Sequence, residues 1–336
     1  MSNVYELLLR HPQLLDSNTT VIGTEAQLPA GWGSQAKASG LQLLSPDFLT
    51  VHAWRQAGIS DDNISYAVPE TQAITGRRVI LLWPKAREAG QALVDMLGDA
   101  PSECFIVGAN DAGGKSINNA LKKHIKSATK IDSARHCCLW QISLQTPEAA
   151  PNWLRAARSF KCGELSFMTL PGVFGHGKLD KGTALLLEHI PAPAHGRIID
   201  LGCGSGVIGL TMKHRNPALD VTLTDTDVMA LRSAGLNSTR LGLAADIFAS
   251  DGLKQTEGRF DYVFSNPPFH QGKRTDYAFA DDLFREAKTH LTRDGQLWIV
   301  ANRHLAYEEW AEEAFQQVEV MVQADGFKLI CASQPR

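Results

Sequence analysis

The sequence has no apolar run near the roughly 20 residues that a membrane-spanning helix needs. Its first 18 residues lack a basic lead followed by a long apolar core, so no secretory leader is expected. Cysteine is scarce. Cys104, Cys137, Cys138, Cys162, Cys203 and Cys331 form no C-x-x-C pair, and no histidine cluster completes a zinc site. These absences predict reduced, buried thiols, no metal centre, no membrane attachment and a cytoplasmic location. An excess of one charge is missing too. The 33 basic and 36 acidic side chains leave a net charge of −3. That excludes a protein that coats nucleic acid by bulk charge, but not one with local basic faces. With 44% hydrophobic and 21% charged residues, the chain is neither a disordered tail, a collagen nor a coiled coil. Its 336 residues exceed the ~250–300 at which one core stops growing, which predicts two domains.

What is present reads as α/β twice over, with a boundary at 150/151. In residues 1–150, the apolar run 79–83 is a strand and 86–97 has helical spacing. Residues 104–107 form a second strand, 108–114 a turn, and a helix runs from there through Lys126. A further strand is expected at 138–142, and the proline- and alanine-rich stretch 145–151 is the linker candidate. Residues 151–336 alternate more cleanly. Strands are expected at 197–201, 220–225, 244–249, 260–265 and 296–301, and helices at 206–215, 227–241 and 281–291. Residues 318–323 and 327–332, around a turn at 324–326, read as an antiparallel hairpin. Strand–helix alternation predicts mostly parallel sheets joined by crossovers.

The strongest local signal is Asp200-Leu-Gly202-Cys203-Gly204-Ser-Gly206, between a strand and a helix. Glycine lets a ligand approach the backbone around so tight a bend. Gly204-Ser-Gly206-Val-Ile-Gly209 also fits the dinucleotide pattern, with Asp225 as the following acid, so NAD is one candidate ligand. Asp200, two residues before the first glycine, favours a cation such as the amino and sulfonium groups of S-adenosylmethionine. A pyrophosphate gains nothing from that carboxylate. Asp200, Asp225 and Asp251 fall at the ends of three successive strands, on one rim. Asp225 suits ribose hydroxyls, and Asp251 an adenine amino group.

The second signal is Asn266-Pro267-Pro268-Phe269, after the fourth strand. Proline locks φ and restricts the residue before it, so the turn is rigid. The Asn266 side-chain oxygen and a backbone carbonyl can then aim at one amine and leave its lone pair free. Phe269 can stack on the ring that carries the amine, as enzymes do with an extruded base.

These motifs in this order resemble the class I methyltransferases that act on planar exocyclic amines. Three further stretches, 170–189, 130–140 and 266–272, look like the RsmC family of 16S ribosomal RNA guanine-N2 methyltransferases. The resemblance spans nearly the whole chain and is strongest over 170–302. It implies two tandem Rossmann-like methyltransferase domains, of which only the C-terminal one (151–336) binds S-adenosylmethionine. It also implies a target guanine in 16S RNA of the assembled 30S subunit, and a monomer is expected. The first half carries neither motif, and folding support and RNA contact are expected of it. The cofactor-binding set implied is Phe174, Gly175, Asp200, Gly202, Cys203, Gly204, Gly206, Asp225, Thr226, Ser250, Asp251 and Asn266. Asn266, Pro267, Pro268 and Phe269 form the catalytic set. Residues 301–304 are also similar to a sister family that methylates a guanine of 23S RNA. The same fold and motifs would also serve a protein-glutamine methyltransferase, or a non-enzymatic ribosome-assembly factor that merely retains the fold.

Lesser signals fall into place around these. Residues 108–116 imitate a phosphate loop, but Ala109 stands where its first glycine is required. A plain turn, or a relic of a lost cofactor loop, is expected there. Lys122, Lys123 and Lys126 lie on one side of the expected helix and are candidates for RNA phosphates, as are Lys273, Arg274 and Arg303. Arg155, Arg158 and Lys161 form another basic stretch. His270 is a candidate contact to the substrate. Methyl transfer from a sulfonium does not require it as a base. Cys203 is expected to pack rather than react.

Overall fold

The structure, a computed structural model, describes residues 3–267 and 274–336. It contains two compact units, Met1–Ala157 and Arg158–Arg336. The division lies seven residues beyond the expected 150/151 boundary. The cause is Trp153, which is buried and donates its indole N–H to the Pro69 carbonyl at 2.9 Å, tying the linker to the first unit.

The first unit holds β1 (Thr19–Ile22), β2 (Gln42–Ser45), β3 (Ile64–Tyr66), β4 (Arg78–Leu82), β5 (Glu103–Ala109), β6 (Ile125–Ala134) and β7 (Cys137–Leu144). Its helices are α1 (Asn3–Leu8), α2 (Trp32–Ser39), α3 (Phe48–Gln56), α4 (Arg87–Leu97) and the single turn α5 (Ile117–Ala120). The strand order is β3-β2-β1-β4-β5-β7-β6. The first five strands are parallel, and β7 and β6 close the sheet antiparallel. Apolar clusters cover both faces, as a parallel sheet requires.

The second unit begins with the small hairpin β8 (Arg158–Cys162) and β9 (Leu165–Thr169). Its main sheet comprises β10 (Arg197–Leu201), β11 (Asp220–Asp225), β12 (Asp246–Ala249), β13 (Phe260–Ser265), β14 (Leu291–Asn302), β15 (Phe315–Ala324) and β16 (Phe327–Pro335). The helices are α6 (Lys181–His189), α7 (Val207–Arg215), α8 (Val228–Leu241), α9 (Arg274–His290) and α10 (Tyr307–Ala314). The order β12-β11-β10-β13-β14-β16-β15 repeats the first unit's topology strand for strand. The final hairpin is antiparallel, as expected. The two-domain, mostly parallel α/β architecture therefore stands, with an antiparallel hairpin closing both sheets rather than only the second. Among the described residues, no helix is long and apolar enough to cross a membrane.

One expectation for the first unit fails, and of the two readings of 108–114 the plain turn stands. The helix through Lys126 does not form. Gly113, Gly114, Asn118 and Asn119 are poor helix formers, and α5 stops after one turn. Lys122 and Lys123 sit in the turn that follows, and Lys126 lies on the edge strand β6, so the three share no helical face. The turn 108–114 is also no relic of a cofactor loop. It follows β5, the fifth strand of the order, whereas such a loop would follow β1. Its glycines serve packing: a Cβ on Gly114 would lie 2.1 Å from the Gly108 carbonyl oxygen.

Candidate active site

The parallel strands β10, β11, β12 and β13 all end on one rim, and the crossover point between β10 and β13 places two loops side by side. After β10, the chain turns through Gly202 and Gly204, at φ of +68° and +55°. A Cβ on either would meet no protein atom within 4 Å. Their backbone therefore faces open space. Gly209 differs: its Cβ would come within 2.3 Å of Leu223, so it is a packing glycine. Gly206, the N-cap of α7, likewise faces Leu223 and Leu210 rather than the cleft.

Phe174, Gly175, Asp200, Gly202, Cys203, Gly204 and Asn266 line one cleft of about 400 Å³, mouth included. Phe174 is 55% exposed at its edge, on a loop anchored by Thr169, whose hydroxyl accepts the Gly177 N–H at 3.0 Å. Asp200 is 1% exposed and accepts the Gly209 N–H at 2.9 Å. Burial pushes its carboxyl up to about 7, with the Asp225 charge adding to the shift and the N–H groups of Gly209 and Ile208 opposing it. Asp225 accepts the Gly204 N–H at 2.9 Å and the Asp227 N–H at 3.0 Å, which ties the end of β11 to the glycine loop. Burial raises the Cys203 thiol far above its ordinary range, and the charges of Asp225 and Asp200 reinforce this. It stays protonated and packs, as expected.

Thr226 follows Asp225 at the end of β11. Ser250 is buried at the end of β12, and its N–H donates to the Asp225 carbonyl at 3.1 Å. Asp251, on the same rim, is paired with Lys254 at 2.6 Å. Neither Ser250 nor Asp251 lines the cleft around Asp200. Arg303 is exposed just past the end of β14. Pro268, Phe269, His270 and Lys273 lie outside the described residues, as does the side chain of Arg274.

Asn266 holds the most informative position. Its amide nitrogen donates to the Asp180 carboxylate and to the Thr183 hydroxyl, both at 2.9 Å. Its Oδ1 is buried and has no hydrogen-bond partner among the described residues. A buried acceptor left unmade costs about 1–3 kcal/mol, which makes Oδ1, on a residue that lines the cleft, a candidate acceptor for a ligand's donor. Asp180, Thr183, Phe160 and Lys178 also line the cleft and were not singled out from sequence. Asp180 does carry a legible helix-start signal, preceding the apolar helix α6. Nothing local reveals that it faces a residue 86 positions away.

The arrangement fits a cationic, nucleoside-bearing ligand better than a dinucleotide. A pyrophosphate on this loop would face the carboxylates of Asp200 and Asp225. The third glycine of the dinucleotide pattern is explained by packing. A parallel sheet closed by an antiparallel hairpin, with an acid–glycine loop after the central strand and Asn-Pro after its neighbour, defines a Rossmann-like methyltransferase. The Methyltransferase small domain family model matches residues 164–331, and the Methyltransferase small domain N-terminal model matches residues 5–157. The chain is 35% identical to ribosomal RNA small subunit methyltransferase C of Pseudomonas entomophila strain L48, over 98% of both chains. It is 34% identical to that of Ectopseudomonas mendocina strain ymp, over 97% of this chain and 98% of the relative. The chain belongs to the ribosomal RNA small subunit methyltransferase C family. Its fold is also that of a solved T. thermophilus 16S rRNA N2 G1207 methyltransferase in complex with AdoMet and guanosine. The TM-score is 0.81 at 21% identity, covering 99% of this chain and 92% of the other.

Proposed function

We propose that the protein methylates the exocyclic N2 of a guanine in 16S ribosomal RNA, using S-adenosylmethionine, and does so on the assembled 30S subunit as a monomer in the cytoplasm. The observation that carries this reading is the buried, unpartnered Oδ1 of Asn266 in a cleft shared with Asp200 and the open glycine loop. Family membership supports the same substrate.

When bound, S-adenosylmethionine supplies a methyl group on a sulfonium, so no protein nucleophile is required. The chain's own residues do the rest. Asp200, buried beside the loop, offers a carboxylate to the positive end of the ligand. Gly202 and Gly204 leave room for it. Asp225 offers acceptors for ribose hydroxyls. Asn266 Oδ1 and the Pro267 carbonyl accept the two protons of the guanine amine and leave its lone pair free. Acceleration then comes from holding amine and methyl together, which can supply about 7–11 kcal/mol of the barrier. We assign the first unit a supporting role in folding and RNA contact. Among its described residues, its sheet carries no comparable loop.

The test is transfer of labelled methyl to 30S subunits, 50S subunits and free 16S RNA in parallel. Label at guanine N2 in 30S alone is expected. Label in 50S, or on a protein glutamine, overturns the substrate. Failure to bind S-adenosylmethionine overturns the enzyme reading in favour of an assembly factor. For the first unit, a fragment from Arg158 onward that is fully active would refute the supporting role.

A further inference from the structure

We propose that Asp180 is a positioning residue, which fixes the end of the Asn266 amide that faces the cleft. The proposal rests on the reading of Asn266 Oδ1 as acceptor for the target amine. An asparagine amide is nearly symmetric in shape, and a half-turn about its last torsion exchanges oxygen for NH₂. Only hydrogen-bond partners tell the two orientations apart. The Thr183 hydroxyl, 2.9 Å from Nδ2, can donate or accept and so tolerates either. Ionised Asp180 only accepts. Turning the amide would bring Oδ1 against the Asp180 oxygen that now sits 2.9 Å from Nδ2. It would also present NH₂ to the cleft, where the target amine is itself a donor. Asp180 therefore selects the orientation that leaves an acceptor for substrate.

Asp180 is itself held in place. As N-cap of α6, the same Oδ2 accepts the N–H groups of Gly182 at 2.8 Å and Thr183 at 3.1 Å. A cap needs only those bonds, and Ser or Asn serves nearly as well as Asp. The third bond, to Asn266, is the one that capping does not explain. Gly182 completes the device. A Cβ there would lie 3.3 Å from Asn266 Oδ1 and 2.9 Å from Val300 Cγ1, so any side chain would crowd the acceptor. One helix start thus carries an orienting carboxylate, a tolerant hydroxyl and the space for the free oxygen.

The experiment separates orienting from capping with four full-length proteins: wild type, Asp180→Asn, Asp180→Ser and Asp180→Ala. Each is measured for kcat on 30S subunits, for S-adenosylmethionine affinity and for melting temperature. The cap N–H groups turn the Asn carbonyl oxygen to the position of Oδ2, so Asp180→Asn keeps both functions and most of the activity. Asp180→Ser keeps the cap but is one bond shorter and releases Asn266. Its kcat should fall about 10–100-fold, the scale for losing a hydrogen bond to a charged group, with cofactor affinity unchanged and a melting temperature above that of Asp180→Ala, which loses the cap as well. Asp180→Ala should lose both kcat and melting temperature. Adding Asp180→Ser to Asn266→Ala should lower kcat no further, because the two act through one atom. If Asp180→Ser has the kcat of Asp180→Asn while Asn266→Ala shows its large loss of kcat, Asp180 is only a cap and the proposal is overturned. If Asn266→Ala is itself active, the underlying reading of Asn266 fails instead.

Discussion

The two sheets share one strand order, yet matching strand ends carry different residues, and we propose a ligand for the second rim alone. The difference lies at the ends of a few strands. The penultimate residue of β10 is Asp200, and that of β1 is Val21, both fully buried. The last residue of β11 is Asp225, which accepts the Gly204 N–H. The last residue of β2 is Ser45, which donates to the Gly23 carbonyl at 2.8 Å. Gly202 and Gly204 face open space, whereas a Cβ on Gly23 would lie 2.6 Å from Leu82. Helix α7 opens with Val207 and α2 with Trp32, whose ring lies 4.3 Å from Tyr5 and 5.8 Å from Trp54. After the fourth strand stands Asn266-Pro267 in one sheet and Trp83-Pro84 in the other, with Trp83 buried against Gly90. Topology offers the same crevice twice. Acceptors stand at the strand ends in one, and buried apolar and aromatic side chains at the matching positions of the other.

The comparison can be attacked from both sides. Trp32→Ala should cost about 3–5 kcal/mol in the first unit, seen as a lower melting temperature. Titration should still give one S-adenosylmethionine per chain, and a second site would break the contrast. Asn266→Ala should lower kcat by about 10²–10³-fold, the scale for a lost, preorganised polar contact, with cofactor affinity unchanged. Asp200→Asn keeps the acceptor for Gly209 but loses the charge, and should weaken cofactor binding by about 10–100-fold.

The same residue sets a pH dependence. Its carboxyl is raised from 3.8 to about 7, so wild-type affinity for a cationic ligand should climb as pH rises through about 7, and Asp200→Asn should show no such step. Stability runs the other way. Folding favours the protonated carboxyl, so this contribution is complete below about 4 and is lost as pH rises through about 7. Calorimetry across that window checks the sign. Lys254→Ala, which removes the partner of the half-buried Asp251, should change stability by no more than about 1 kcal/mol, in keeping with a surface ion pair.

Much of this was legible because local chemistry dictates it. Gly202 and Gly204 adopt positive φ, and an acid two residues before the first glycine stands out in the sequence. The hairpin β15–β16 announces itself by alternation around a turn at Asp325 and Gly326. The failures have local causes as well. The apolar residues of 117–125 suggest a helix, but Asn118 and Asn119 stop it, and pairing with β7 draws Ile125–Ala134 into a strand. The small strands β1, β2 and β3 of the first unit gave no clear periodic signal, being three or four residues long.

By itself, the sequence determined the class: an α/β chain of two domains, a glycine loop with its acids, and the Asn-Pro turn. These are properties of adjacent residues and follow from backbone sterics and strand or helix period. The tertiary structure alone decided what long-range pairing decides. It made the two sheets equivalent strand for strand and packed Tyr5, Trp32 and Trp54 together in the core of the first unit. It also set Asp180 against Asn266 across 86 positions of chain, leaving Asn266 Oδ1 without a partner among the described residues. A hydrogen bond between distant residues leaves no periodicity to read, because only the fold brings its two ends together.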